Sequence, residues 1–356
     1  MPSAQLPAIA LALSALATLA ACSGPAASPS PAGVPARTEQ VSGTRALLQA
    51  VSPVNERVVW VSGHSATWAR TLDGGATWQT GRVPGDTTLQ FRDVHAVSAT
   101  TAYLMSAGNG AASRIYKTTD GGRSWALQFT NPDSAAFYDC MDFWDARRGV
   151  AVSDAVAGRL VILTTDDGGT TWRHPAAMPA AVAGEGGFAA SGTCLVTLPG
   201  GRAWIGTGNA PHARVLRSTD FGETWAADTT PLPSGSAIGI TSVAFRDVRN
   251  GLAFGGNVGD NNSRGDVVAL TRDGGATWSL GGRPPFAGAI FGGTWVPGAR
   301  VPTAVVVGPR GSAWSRDGGA TWTAIDSAAY WAVGFASPRA GWAVGPRGRI
   351  VRLGGF

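Results

Sequence analysis

One octapeptide, Thr71-Leu72-Asp73-Gly74-Gly75-Ala76-Thr77-Trp78, recurs in close variants around Asp120, Asp167, Asp220, Asp273 and Asp317. Successive aspartates lie 47, 47, 53, 53 and 44 residues apart, and each copy ends in tryptophan: Trp78, Trp125, Trp172, Trp225, Trp278 and Trp322. A period of this length restricts the chain to an array of supersecondary units, because one such unit cannot bury its apolar face alone. Within each copy the spacing has a local reason. A carboxylate at a hairpin corner accepts hydrogen bonds from several turn amides, and glycine supplies the positive φ of a tight turn. Six equivalent copies favour scaffold chemistry over catalytic or calcium-binding aspartates. Each tryptophan starts the outgoing strand and is expected to bury a large surface against the neighbouring sheet. Its truncation should cost about 3–5 kcal/mol, against roughly 1.5–3 kcal/mol for a charge-assisted hydrogen bond.

Around each copy, short apolar runs return in one order, as in Ile240 to Phe245, Gly251 to Gly256, Asp266 to Thr271 and Trp278 to Leu280. These are four strands per repeat. The first turn repeats as well: Phe143 to Gly149 matches Phe245 to Gly251, and Phe335 to Gly341 is a looser version. With 50 glycines and a single lysine, Lys117, in 356 residues, long helices are disfavoured. Four-stranded units of about 45 residues are propeller blades. After Trp322, three strands fit at Ala329 to Phe335, Gly341 to Val344 and Arg349 to Leu353, and the chain stops before a fourth. Thr38 to Ser42 can supply it and remove the exposed edge. The expectation is an all-β, seven-bladed β-propeller over residues 38–356, closed by an N-terminal strand.

The net charge of +5 is almost all arginine, without a basic run, so nucleic-acid binding has no support. Cys22, Cys140 and Cys194 lack the close pairing of a zinc site or a redox pair. Cys140 and Cys194 fall on inner strands of adjacent blades, but the repeat alignment offsets them by one residue, which argues against a disulfide.

Residues 7–21 form an uncharged apolar run too short to span a bilayer comfortably, followed by Cys22, Ser23 and Gly24. This is the pattern of a secretion signal over residues 1–21. Leu19-Ala20-Ala21-Cys22 resembles the bacterial lipobox, although no Lys or Arg precedes the apolar core. That resemblance implies lipidation at Cys22, membrane attachment through the lipid, and, with Ser23 next, sorting to the outer membrane facing the periplasm. Residues 22–37, rich in Pro, Ser and Ala, have the composition of a tether.

The sixfold turn resembles the Asp-box, or BNR repeat, with its pattern Ser/Thr-x-Asp-x-Gly-x-Thr/Ser-Trp. Among proteins bearing it, the chain is most similar to the Ycf48/Hcf136-like photosystem II assembly-factor superfamily, in its non-photosynthetic bacterial branch. The segments that carry this likeness are Ser113 to Trp125, Phe143 to Gly149, Gly187 to Thr193, Ala203 to Asn209, Val243 to Asp247 and Gly341 to Ile350. The resemblance implies a seven-bladed propeller that binds another protein, without catalysis and without a cofactor. A photosystem partner does not transfer with it, so the expected partner is an envelope protein of unstated identity.

The competing class is a glycoside hydrolase or carbohydrate-binding propeller, since sialidases and some glucanases share the Asp-box. The Arg-Ile-Pro motif, arginine triad and Tyr/Glu pair of sialidases are not evident, and Arg114-Ile115-Tyr116 is better read as a strand. Hydrolysis by two carboxylates needs acids on the channel strands about 5–9.5 Å apart. Asp93, Asp139, Asp142 and Glu185 are the candidates, with solvated or salt-bridged acids at the channel mouth, beside Arg92, as the favoured alternative. His95 lacks an identified partner. Gly206-Thr207-Gly208-Asn209 lacks the last glycine and the helix of a dinucleotide fingerprint. Asp260, Asn261, Asn262 and Asp266 offer oxygen ligands but are ordinary loop residues, so no metal site is assigned. For partner binding, ring-face positions are nominated: Arg92, Asp93, Asp139, Asp142, Glu185, Ser191, Thr193, Arg246 and Asp247. Asp247 and Asp145 occupy equivalent repeat positions, which favours a turn role for Asp247.

Overall fold

A computed structural model describes residues 1–3 and 33–356. Cys22, the signal run and most of the tether lie outside the described residues. The compact unit Pro35–Phe356 consists of seven antiparallel sheets. Blade 1 is built from Leu48–Pro53, Val59–Gly63, Thr67–Thr71 and Gln79–Arg82, counted from the ring centre outward. Blades 2 to 6 start with the inner strands Phe91–Ala96, Tyr138–Phe143, Leu195–Leu198, Ile238–Phe245 and Gly292–Trp295. Blade 7 contains Ala332–Ser337, Ala340–Val344 and Arg349–Gly354, and its outer strand is Ala36–Val41 from the other end of the chain. The pairing runs antiparallel from Ala36 opposite Gly354 to Val41 opposite Arg349, which closes the ring as the sequence demands.

The repeated turn joins the third and fourth strands and is held by its own side chains. In the first copy the Thr71 hydroxyl donates to Asp73 Oδ1 at 2.7 Å and accepts the Gly75 amide at 2.8 Å, while the Thr77 amide and hydroxyl donate to the two Asp73 oxygens at 2.9 and 2.6 Å. The same four bonds recur around Asp120, Asp167, Asp220, Asp273 and Asp317. Gly74 and Gly75 have φ of 75° and 91°. In the fourth copy Phe221 stands in the first glycine's place at φ 61°. It keeps that conformation while its ring meets Trp144 edge-on and carries the Arg148 guanidinium 3.8 Å from its centroid.

The six tryptophans are half-buried rather than core residues. Each packs on the rim of an inter-blade cluster, and Trp225, Trp278 and Trp322 donate their indole N–H to the glycine carbonyl of their own turn. Deeper contacts carry the packing between blades. Trp60 and Trp342 are fully buried, and Trp204 stacks on Phe245 of the next blade with centroids 3.8 Å apart.

Blade 3 departs from the four-strand expectation. Its sheet has three strands, Tyr138–Phe143, Gly149–Val156 and Arg159–Thr165, and two isolated bridges, Thr164 with Arg173 and Arg159 with Ala180, stand for the fourth. Pro175 follows at once and offers no amide to a ladder, so the chain leaves the sheet. This is where one of the two 53-residue spacings is spent.

Candidate functional site

The freed chain after Pro175 returns across the ring. The Glu185 carbonyl accepts the Ala155 amide of blade 3, the Ala189 carbonyl accepts Arg92 of blade 2 at 3.4 Å, and Gly192 packs against the Asp93 carboxylate. On the far side the Ser191 hydroxyl donates to the Phe291 carbonyl at 2.7 Å, and Thr193 bonds to the Ser242 hydroxyl at 2.8 Å. Residues 185–193 thus form a strap from blades 2 and 3 to blades 5 and 6.

Above the strap lies a cavity of about 760 Å³, walled by the inner strand of every blade. The strap residues Ser191, Gly192 and Thr193 form its floor. Its rim includes Arg246 and the first-turn loop of blade 6 from Val296 to Thr303. First turns share a face with the aspartate turns, since the amides of Gly74, Gly168, Gly274 and Gly318 donate to first-turn carbonyls of their own blades. The cavity is therefore a cup that opens on the aspartate-turn face.

Five nominated residues meet in this cup: Asp93, Asp142, Ser191, Thr193 and Arg246. Asp142 is tied into three blades. Its Oδ1 lies 2.9 Å from His95 Nδ1 and accepts the Phe143 amide, and its Oδ2 accepts the Thr197 amide at 2.8 Å and the Thr197 hydroxyl at 3.0 Å. His95 therefore has a carboxylate partner, which no local spacing announces because the pair is 47 residues apart. Asp93 is buried and accepts the Met141 amide at 2.6 Å, and its burial pushes the carboxyl well above the usual carboxylate range. Arg246 caps the Trp295 ring at 5.3 Å and pairs with Asp247 at 3.3 Å. Asp247 Oδ1 accepts the Arg249 and Asn250 amides, as Asp145 accepts those of Arg147 and Arg148, so both hold first turns.

Arg92, Asp139 and Glu185 lie below the cup, and their expected surroundings need correction. Neither Asp139 nor Arg92 forms a salt bridge, whereas Glu185 is salt-bridged, to Arg214 and not to Arg92. Arg92 spends its guanidinium on Gln90 and Ala189. Glu185 is buried on the strap, pairs with Arg214, and accepts the Thr207 hydroxyl at 2.7 Å. Asp139 is buried beside Asp154, which sequence reasoning missed because nothing in the repeat marks it. Burial first, and then the Asp154 charge and hydrogen bond, push Asp139 well above the usual range; burial raises Asp154 also. Asp154 Oδ1 accepts the Gly187 amide of the strap at 2.9 Å.

Cys140 and Cys194 are joined by a disulfide, with Cα atoms 6.0 Å apart. The inner strand of blade 3 has a register shift between Tyr138 and Cys140, as do those of blades 1, 2 and 5, whereas that of blade 4 pairs without one, and the one-residue offset does not keep the two cysteines apart. Among the described residues no cluster of three or more metal-ligating side chains forms, and Asp266 pairs with Arg283. Gly206 ends a strand, and no helix follows.

These features define a seven-bladed β-propeller with a floored central cup. Its structural neighbours include a YCF48 solved bound to D1 peptide, 17% identical with a TM-score of 0.62 over 90% of this chain and 97% of that one. YCF48 from Cyanidioschyzon merolae is 14% identical, with a TM-score of 0.64 over 90% and 99%. An ancestral GH74 enzyme is also 14% identical, with a TM-score of 0.62 over 87% of this chain and 45% of that one. At these identities the likeness is one of fold. No family model matches the chain, and no curated protein matches it.

Proposed function

We propose that this chain is a non-catalytic, lipid-anchored propeller of the bacterial envelope that holds a segment of a protein partner in its cup. The observation that carries the reading is the floored cup, in which Asp142 is already held by donors from the protein itself. A carboxylate so occupied is a strut, while the cavity above it remains deep enough for a side chain or a short peptide. The fold likeness to a YCF48 bound to a peptide supports this choice. The lipobox at Cys22 supports outer-membrane attachment, and the Cys140–Cys194 disulfide fits an oxidising compartment such as the periplasm.

The test is charge reversal at the rim. Arg246→Glu and Arg300→Glu proteins, purified beside the parent, are crosslinked in intact cells and compared for the partner they capture. Loss of one defined partner from both variants supports the cup. Equal recovery from all three proteins overturns it. For the anchor, the expected result is a diacylglycerol mass shift at Cys22 that Cys22→Ser abolishes, and its absence removes the lipid from the proposal.

The second reading, glycan processing, is favoured by one feature: Asp93, whose carboxyl burial pushes well above the usual range, shares the cup with Asp142 and His95. Turnover of any member of a glycan panel, lost in Asp93→Asn, would replace the binding reading with this one. Asp139 and Glu185 are poor probes of it because they lie under the strap.

A further inference from the structure

The strap is held from below by acids. A Cβ added at Gly186 would collide with the Asp154 carboxylate, and one at Gly187 would stand 2.7 Å from Asp139 Oδ2. Both strap glycines therefore sit directly on the two carboxyls. Asp139 Oδ2 is buried without a hydrogen-bond partner, and after burial the neighbouring Asp154 carboxyl is what pushes Asp139 up, so a proton kept on the pair relieves both. We propose that the strap is a proton-controlled gate, which floors the cup while the Asp139–Asp154 pair keeps its proton and lifts when the pair loses it, opening a passage through the ring.

The surrounding charges decide whether the pair can respond. Arg92, on the inner strand of blade 2, is the cation facing Asp139, and burial holds its own pKa down. His64 of blade 1 faces Arg92 from the other side; burial, and then the Arg92 charge, lower its pKa, so it supplies no second cation near neutrality. Glu185 on the strap is neutralised by Arg214 of blade 4. Asp93 lies beyond Gly192, with Asp142 as its charged neighbour. One partly committed arginine thus faces two carboxyls. A second negative charge would repel the first, and the buried Asp139 side of the pair has no solvent to take that charge up.

The sign follows from linkage. Carboxyls whose pKa is raised in the folded protein favour the closed form fully below the ordinary carboxylate pKa of about 4, and that preference is lost as pH rises through the raised values. The other end of the strap does not move, because Cys194 is stapled to Cys140.

Hydrogen exchange of the full chain, read by mass spectrometry on peptides covering residues 183–193 and corrected for intrinsic rates, tests the gate between about pH 5 and 9. Protection of the strap is expected to fall about tenfold or more with rising pH, while the blade strands hold theirs. In Asp139→Asn the amide takes the place of the shared proton and donates to Asp154, so protection should be independent of pH. Asp154→Asn makes the same prediction should the first variant fold poorly. Constant strap protection in the parent protein, a fall shared equally by the blades, or a pH-dependent fall that persists in a folded Asn variant would each overturn the gate.

Discussion

Cys140 on the inner strand of blade 3 is bonded to Cys194, the residue before the inner strand of blade 4, across 54 residues of chain. The bond encloses the third aspartate turn and the whole strap. Constraining an unfolded loop of this length stabilises the fold by about 2–5 kcal/mol. The Cys140→Ala, Cys194→Ala double variant should lose that amount in urea denaturation. The parent protein should fall to a similar level in reductant, and reductant should leave the double variant unchanged.

The half-burial of the turn tryptophans lowers the cost of truncation expected for them from the repeats alone. Trp342 is fully buried, whereas Trp278 is half-buried at a cluster edge. Trp342→Ala should cost about 3–5 kcal/mol, and Trp278→Ala about 2 kcal/mol, in the same denaturation assay.

The aspartate turns make the fold acid-sensitive in a defined window. The Thr277 hydroxyl first, and then its amide, lower Asp273 to about 2, and Ser124 does the same for Asp120. A lowered carboxyl contributes stability above its unfolded pKa of about 4, and the contribution is lost as pH falls through the folded value. Carboxyl NMR should therefore show Asp273 titrating near 2. In Thr277→Ala the titration should move up toward the unperturbed value, the melting temperature near neutrality should fall, and its further decline on acidification should be shallower than in the parent.

Asp142 is predicted to be structural. Removing it strands the Phe143 and Thr197 amides at the junction of blades 3 and 4, while the Thr197 hydroxyl keeps the Phe143 carbonyl. Asp142→Ala should cost about 2–4 kcal/mol. An unchanged urea midpoint would show instead that this carboxylate is free for a ligand.

Much of the architecture was legible in the chain. The hydrogen bonds of each aspartate turn join residues two to four apart, so the constraint is written locally and repeated six times. Blade number followed from the six turns plus the three strands after Trp322, and closure from the missing strand after Arg349–Gly354. Even Phe221, which breaks the glycine rule of its turn, left the period intact because the remaining bonds of that copy survive.

The central site was legible only as a set of names. Asp142 finds His95 at a separation of 47 residues and Thr197 at 55, Glu185 finds Arg214 at 29, and Ser191 reaches Phe291 at 100. These pairings join different blades, and although His95 and Asp142 lie one repeat period apart, nothing in the repeated turn marks which of these residues will meet. Local turn chemistry thus determined the ring from the sequence alone. Only the closed tertiary structure decided the cup, its strap and the disulfide, because the separation between their partners is set by the radius of the ring and not by distance along the chain.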